Sequence, residues 1–205
     1  MPQLNYNKCI SKTVTGEKIN YGIVLGNEKI VFIKTGADGN ILGYQNKYPR
    51  MAHRIHQRLG ATVICASNPD VEHQLQQVPD IRMISQVATD CGFTDYSVYL
   101  IGISDGAYNN LLLAQAVPQV RKLLNINTSP KMRNNKSDLQ DLGNRLQQLA
   151  SIHKTLVYGT EDEEYCHVPH LKALGCDRLE ILAVEGADHV FTGMVEDFIA
   201  LTDLL

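Results

Sequence analysis

The sequence has no surplus of basic residues: 19 lysines and arginines face 22 aspartates and glutamates, a formal net charge of -3. Without a cationic surface to neutralise phosphates, nucleic acid is not expected as a partner. Long hydrophobic runs are missing as well. None approaches the roughly 18 apolar residues of a transmembrane helix, so no membrane span is expected. The opening MPQLNYNKCI lacks a basic start followed by an apolar stretch, which argues against a secretory signal. Cysteine is sparse and unpatterned: Cys9, Cys65, Cys91, Cys166 and Cys176 are odd in number, with neither C-x-x-C nor zinc-finger spacing. Scattered reduced thiols in a cytoplasmic protein are the expectation. Internal repeats, low-complexity stretches and a dividing linker are absent too. The chain of 205 residues suits one domain with a sizeable core better than two, so residues 1–205 are expected to form a single domain.

What recurs instead is a short apolar run, then a turn, then a helical pattern. The runs are KIVFI (29–33), ATVICA (61–66), SVYLIGI (97–103), KLLNI (122–126), KTLVY (154–158) and LEILAV (179–184). Most are continuous rather than alternating, as strands of a parallel sheet covered on both faces should be. Tyr48, Met51, Ala52, Ile55 and Leu59 follow one helix face, and Gly60 stands where a helix C-terminus favours glycine. Leu139, Leu142, Leu146 and Leu149 repeat the stripe, with Ser137 as a candidate N-cap. Met194, Val195, Phe198, Ile199 and Leu205 read as a last helix. The first 26 residues, with turn signals at Thr15–Glu17 and Gly26–Asn27, read as an antiparallel hairpin. Pro69 and Pro79 interrupt residues 67–96, where a helix is expected only around 80–91. The alternation predicts a three-layer α/β/α sandwich around a mostly parallel sheet.

Within YLIGISDGAYNN, Ser104 lies at the joint between a buried-strand pattern and a helical one, with Gly102 and Gly106 two residues to either side. A sharp strand-to-helix turn lifts such a side chain above the sheet edge, and its crowded backbone tolerates little beyond glycine at those two positions. The helix start supplies N–H groups and partial positive charge for a developing oxyanion. A serine hydroxyl is a weak nucleophile, so a base and an orienting acid are needed. Of seven histidines, His189 stands just beyond LEILAV and before the final helix. His53 and His56 fall within a helix, His73 in the proline-interrupted segment, and His153 directly before a strand. His167 and His170 bracket Pro169 with no third metal ligand nearby and read as a chance pair. Asp162 follows the turn Gly159 by three residues at the end of KTLVY, whereas Glu161, Glu163 and Glu164 read as a solvated acidic edge. All three candidates follow the C-terminal ends of parallel strands, where open α/β sheets bind ligands.

On GISDG (102–106), YGTED (158–162) and GADH (186–189), in the chain order Ser…Asp…His, the sequence resembles the α/β-hydrolase fold family over residues 15–205. The resemblance implies a serine hydrolase acting on small acyl substrates without metal or cofactor. Ser104 is then the nucleophile, His189 the base and Asp162 the orienting acid. The Asp105 backbone N–H becomes one oxyanion donor. The second usually comes from the loop after the third strand, here KTGADGN (34–40), with Ala37 as the candidate donor. Many members place His-Gly at the start of that loop; this chain has Thr35-Gly36. Lys34 is unusual at a strand end and is expected to pair with a carboxylate. Residues 127–154 have room for one helix rather than a large cap, which favours a small esterase or thioesterase over a lidded lipase. Tyr108, Asn109 and Asn110 line either the pocket or the helix surface. Two other functions stay open: a non-catalytic binding protein on the same scaffold, and an acyltransferase that uses the same acyl-enzyme.

Overall fold

The computed structural model describes residues 5–130 and 139–205. Its strands are β1 (Lys8–Val14), β2 (Glu17–Val24), β3 (Asn27–Lys34), β4 (Ala61–Ala66), β5 (Ser97–Ile103), β6 (Val120–Ile126), β7 (His153–Gly159) and β8 (Leu179–Val184). The helices are α1 (Lys47–Leu59), α2 (His73–Asp90), α3 (Asp105–Ala116), α4 (Leu139–Gln148), α5 (Val168–Ala173) and α6 (Val195–Ala200). The strands form one sheet in the order β1-β2-β4-β3-β5-β6-β7-β8. β1 and β2 join antiparallel and β2 runs antiparallel to β4; every later pairing is parallel. Thr15 and Gly16, both at positive φ (49° and 92°), make the tight turn of the leading hairpin.

The continuous apolar runs follow from helices on both faces. Within β5, Val98 and Leu100 enter the core beneath α2, α3 and α4, while Ile101 and Ile103 enter the one beneath α1 and α6. Ile30 and Phe32 of β3 part from Val31 and Ile33 in the same way. Each such side chain contributes about 1.5–3 kcal/mol on full burial. Gly60 closes α1 at φ 64°, donating its N–H to the His56 carbonyl at 2.8 Å. Arg50, Arg54 and Arg58 on α1 bond to Glu196, Asp203 and the Thr202 carbonyl, tying the C-terminal segment to that face.

One helix expectation changes. The helix expected around 80–91 begins at His73 and runs through Pro79. Proline removes one N–H bond to the Leu75 carbonyl, but the helix buries Met83, Ile84 and Val87 beyond it. The candidate cap Ser137 lies outside the described residues.

All five cysteines are free thiols. Cys65 is fully buried on β4, and burial pushes its thiol up to about 12. Native protein treated with a thiol reagent at neutral pH should modify the exposed Cys9 and Cys166 quickly. Cys65 should react only after denaturant is added. Its equally rapid modification in the folded protein would contradict this packing.

Candidate active site

The turn out of β5 puts Ser104 at φ 52°, ψ -119°, a strained conformation for a residue with a side chain. The two glycines make it possible. A Cβ on Gly102 would stand 2.4 Å from the Ala107 Cα, and one on Gly106 only 2.2 Å from the Thr35 carbonyl oxygen. The Ser104 N–H donates to the Ile126 carbonyl at the end of β6 (2.8 Å), which fixes the elbow to its neighbouring strand.

The partners come from two strand ends farther along the sheet. His189 Nε2 lies 2.8 Å from Ser104 Oγ, and His189 Nδ1 lies 3.0 Å from both carboxylate oxygens of Asp162. A carboxylate only accepts, so the Nδ1 proton points at Asp162 and leaves the Nε2 lone pair for the serine hydroxyl. The Asp162 side chain is fully buried, whereas that of His189 is 38% exposed. The carboxylate is shielded, while the imidazole stays partly open to solvent. Asp162 also caps the short 3-10 turn Glu163–His167, accepting the Glu164 N–H at 3.1 Å.

No family model matches this sequence, and no curated protein matches it. Solved structures do. An alpha-beta serine hydrolase homologue from Coxiella burnetii superposes with a TM-score of 0.71 at 16% identity, covering 98% of each chain. Est1E from Butyrivibrio proteoclasticus gives 0.70 at 13% identity over 96% of both chains. A Xanthomonas campestris protein described as a serine hydrolase without a lid gives 0.61 at 18% identity, covering 96% of this chain and 93% of that one. The chain has the α/β-hydrolase fold.

In this α/β-hydrolase fold the loop after β3 borders the elbow: the Cβ position of Gly36 lies 3.5 Å from Ser104 Cβ. Thr35 Oγ1 donates to the Gly39 carbonyl (2.9 Å), and the Gly39 N–H donates to the Gly36 carbonyl (2.9 Å). Tyr48 is buried, and burial pushes its hydroxyl above its ordinary range.

The remaining sequence candidates sort as follows. Lys34 is fully buried and pairs with Asp80 at 2.9 Å, so it belongs to the core rather than to a substrate site. Glu164 does not join a solvated edge. It is 2% exposed, accepts from Ser129 Oγ (2.8 Å) and lies 3.3 Å from His167 Nε2, because the short turn after Asp162 rotates it inward. Glu161 and Glu163 are exposed. Tyr108, Asn109 and Asn110 are buried, not on a helix surface, since α3 is flanked by α2 and α4 on the sheet. The Tyr108 hydroxyl bonds Asp141, and burial followed by that bond pushes it up to about 12. His53 and His56 contact the carbonyls of Asn5 and Ala61 at 3.0 Å each. His153 is exposed at the start of β7. Among the described residues no group of three or more histidines, cysteines or carboxylates could hold a metal ion. None of the described helices is long and apolar enough to cross a membrane.

Two further residues lie near the site: Asn68, which the sequence did not single out, and His73, which it placed only in the proline-interrupted segment. Asn68, after β4, donates through Nδ2 to the Thr35 carbonyl (3.1 Å) and to Asp105 Oδ2 (2.9 Å), tying the β3 loop to the first turn of α3. His73 at the start of α2 lies buried, with Nε2 3.0 Å from Asp105 Oδ1. The only sequence signal for Asn68 was a polar residue following a strand at the same sheet edge.

Proposed function

We propose that the chain is a serine hydrolase that cleaves carboxylic esters or thioesters through an acyl-enzyme on Ser104. What supports this reading is the continuous contact Ser104 Oγ–His189 Nε2 (2.8 Å) and His189 Nδ1–Asp162 (3.0 Å). Ser104 Oγ attacks the acyl carbon as its proton passes to His189 Nε2. The resulting oxyanion is held by the backbone N–H groups of Asp105 and Ala37. Collapse breaks the bond to the leaving alcohol or thiol, which takes the proton back from His189. Water then loses a proton to His189, attacks the acyl carbon, and releases the acid with Ser104 restored. Asp162 stays ionised throughout and stabilises the imidazolium. No metal or cofactor is called for.

In this proposal residues 1–205 act as a single domain without a large cap, open to small acyl substrates. The neighbours described as a serine hydrolase homologue and as a lidless serine hydrolase add support. The five free thiols fit a cytoplasmic setting.

The test is reaction with a fluorophosphonate probe, followed by turnover of aryl esters and thioesters of increasing acyl length. The wild-type chain should label with one equivalent on Ser104. His189→Ala should lower turnover by roughly 10,000-fold or more, since base and nucleophile act as a unit. A folded wild-type chain that neither labels nor turns over any activated ester would refute the proposal.

A further inference from the structure

The base of this site stands on the wrong strand for an easy reach. β5, which ends at Ser104, is separated from β8 by β6 and β7. Three strand spacings amount to about 14 Å. The loop after β8 must therefore cross two strand ends before the His189 imidazole meets the serine. It crosses in steps. Ala187 lies over the end of β7, where a Cβ on Gly159 would stand 2.1 Å from the Ala187 carbonyl oxygen. Glu161 donates its N–H to that same carbonyl at 3.0 Å. The next step lands on Asn127, the first residue beyond β6.

Asn127 is fully buried. Its Nδ2 donates to the His189 carbonyl at 2.9 Å and to the Asp188 carbonyl at 3.3 Å, while its Oδ1 accepts the Gly159 N–H at 2.9 Å. Its own N–H donates to the Val157 carbonyl at 2.8 Å. The residue before it, Ile126, accepts the Ser104 N–H. One carboxamide thus joins the strand end that carries Asp162 to the main chain of His189, beside the carbonyl that holds Ser104. Asn127 adopts φ 48°, a left-handed conformation in which asparagine is enriched, and its amide places a donor and an acceptor on separate atoms of one planar group.

We propose that Asn127 is a positioning residue that sets the height and tilt of His189 over Ser104. The proposal rests on the serine hydrolase reading. Asn127 touches neither substrate nor reacting atoms in this role; it acts through the His189 backbone. Triad geometry tolerates about 0.5 Å of error, and a 1 Å misplacement costs roughly 100-fold in rate.

The decisive variant is Asn127→Asp. It keeps an oxygen for the Gly159 N–H but turns a second oxygen toward the carbonyls of Asp188 and His189. Asn127→Gly removes both clamps while tolerating the backbone conformation, and serves if the first variant does not fold. With an activated aryl ester, kcat should fall roughly 30- to 100-fold with KM unchanged within about two-fold. The low-field proton resonance of His189 Nδ1–H should broaden or move in the same variant. Either folded variant keeping kcat within three-fold of wild type would overturn the proposal. So would a loss of activity that tracks only the unfolded fraction, or failure of both variants to fold, since the role would then be structural. If the wild-type chain itself neither labels nor turns over esters, the hydrolase reading falls. The His189 resonance then still decides whether Asn127 positions the imidazole.

Discussion

Ser104→Ala should abolish fluorophosphonate labelling and lower ester turnover by about a million-fold, the scale seen when a triad nucleophile is removed. The fold should survive, because the alanine methyl group occupies the space of the serine Cβ and removes only Oγ, which contacts His189 Nε2. A residual rate above that of water is expected from the backbone donors alone. The same position carries a stability test. Ser104 holds φ 52°, ψ -119°, a conformation costing on the order of 1–3 kcal/mol for a residue with a Cβ. Ser104→Gly should therefore be equally inactive yet melt several degrees above Ser104→Ala, since each kcal/mol is worth about 2–4 °C in a chain of this size. Equal melting temperatures would show that the elbow stores no strain. Undiminished labelling of Ser104→Ala would move the nucleophile elsewhere.

The second large effect concerns the core. Asp80 on α2 accepts from Lys34 Nζ at 2.9 Å and from the Tyr21 hydroxyl at 2.8 Å, all of them buried. Burial lifts the Asp80 carboxyl above its ordinary range, against the pull of the Lys34 ammonium and then of the Tyr21 hydroxyl. Burial, followed by the neighbouring Asp80 charge, drives the Tyr21 hydroxyl far above its own range. Asp80→Ala takes the carboxylate from both donors and should cost about 3–5 kcal/mol, the usual result of breaking a buried pair from one side. That corresponds to a fall in melting temperature of about 10 °C. The double variant Lys34→Met with Asp80→Asn removes both charges and keeps an acceptor for Tyr21. It should recover most of the loss, because a neutral filling of similar volume avoids desolvating two ions. A double variant no better than Asp80→Ala would show that the pair itself, not the orphaned charge, carries the stability.

Several features were legible before any coordinates. The inner strands could be read because a strand covered on both faces has apolar residues at every position, and ATVICA matches β4 residue for residue. The elbow could be read because its backbone accepts few residue types, and Gly102 and Gly106 are explained by contacts under 2.5 Å. Local rules failed where packing overrode them. Pro79 marked an interruption, yet α2 passes through it because its buried face, including Met83, Ile84 and Val87, outweighs one missing hydrogen bond. The α3 segment DGAYNNLLLAQA shows little apolar stripe because the helix is covered nearly all round, so its polar residues gave no hint of burial. Glu164 was misjudged because its exposure depends on a single short turn after Asp162.

What the sequence alone determined is chemical and local: a serine at a strand-to-helix turn, an acid and a histidine after later strands, and the order of the three. Whether they touch was decided by the tertiary structure. The strand order sets β5 apart from β8, and the buried amides of Asn68 and Asn127 hold the surrounding loops in place. Hydrogen bonds of 2.8 and 3.0 Å depend on the relative placement of segments up to 85 residues apart in the chain, which no local preference encodes.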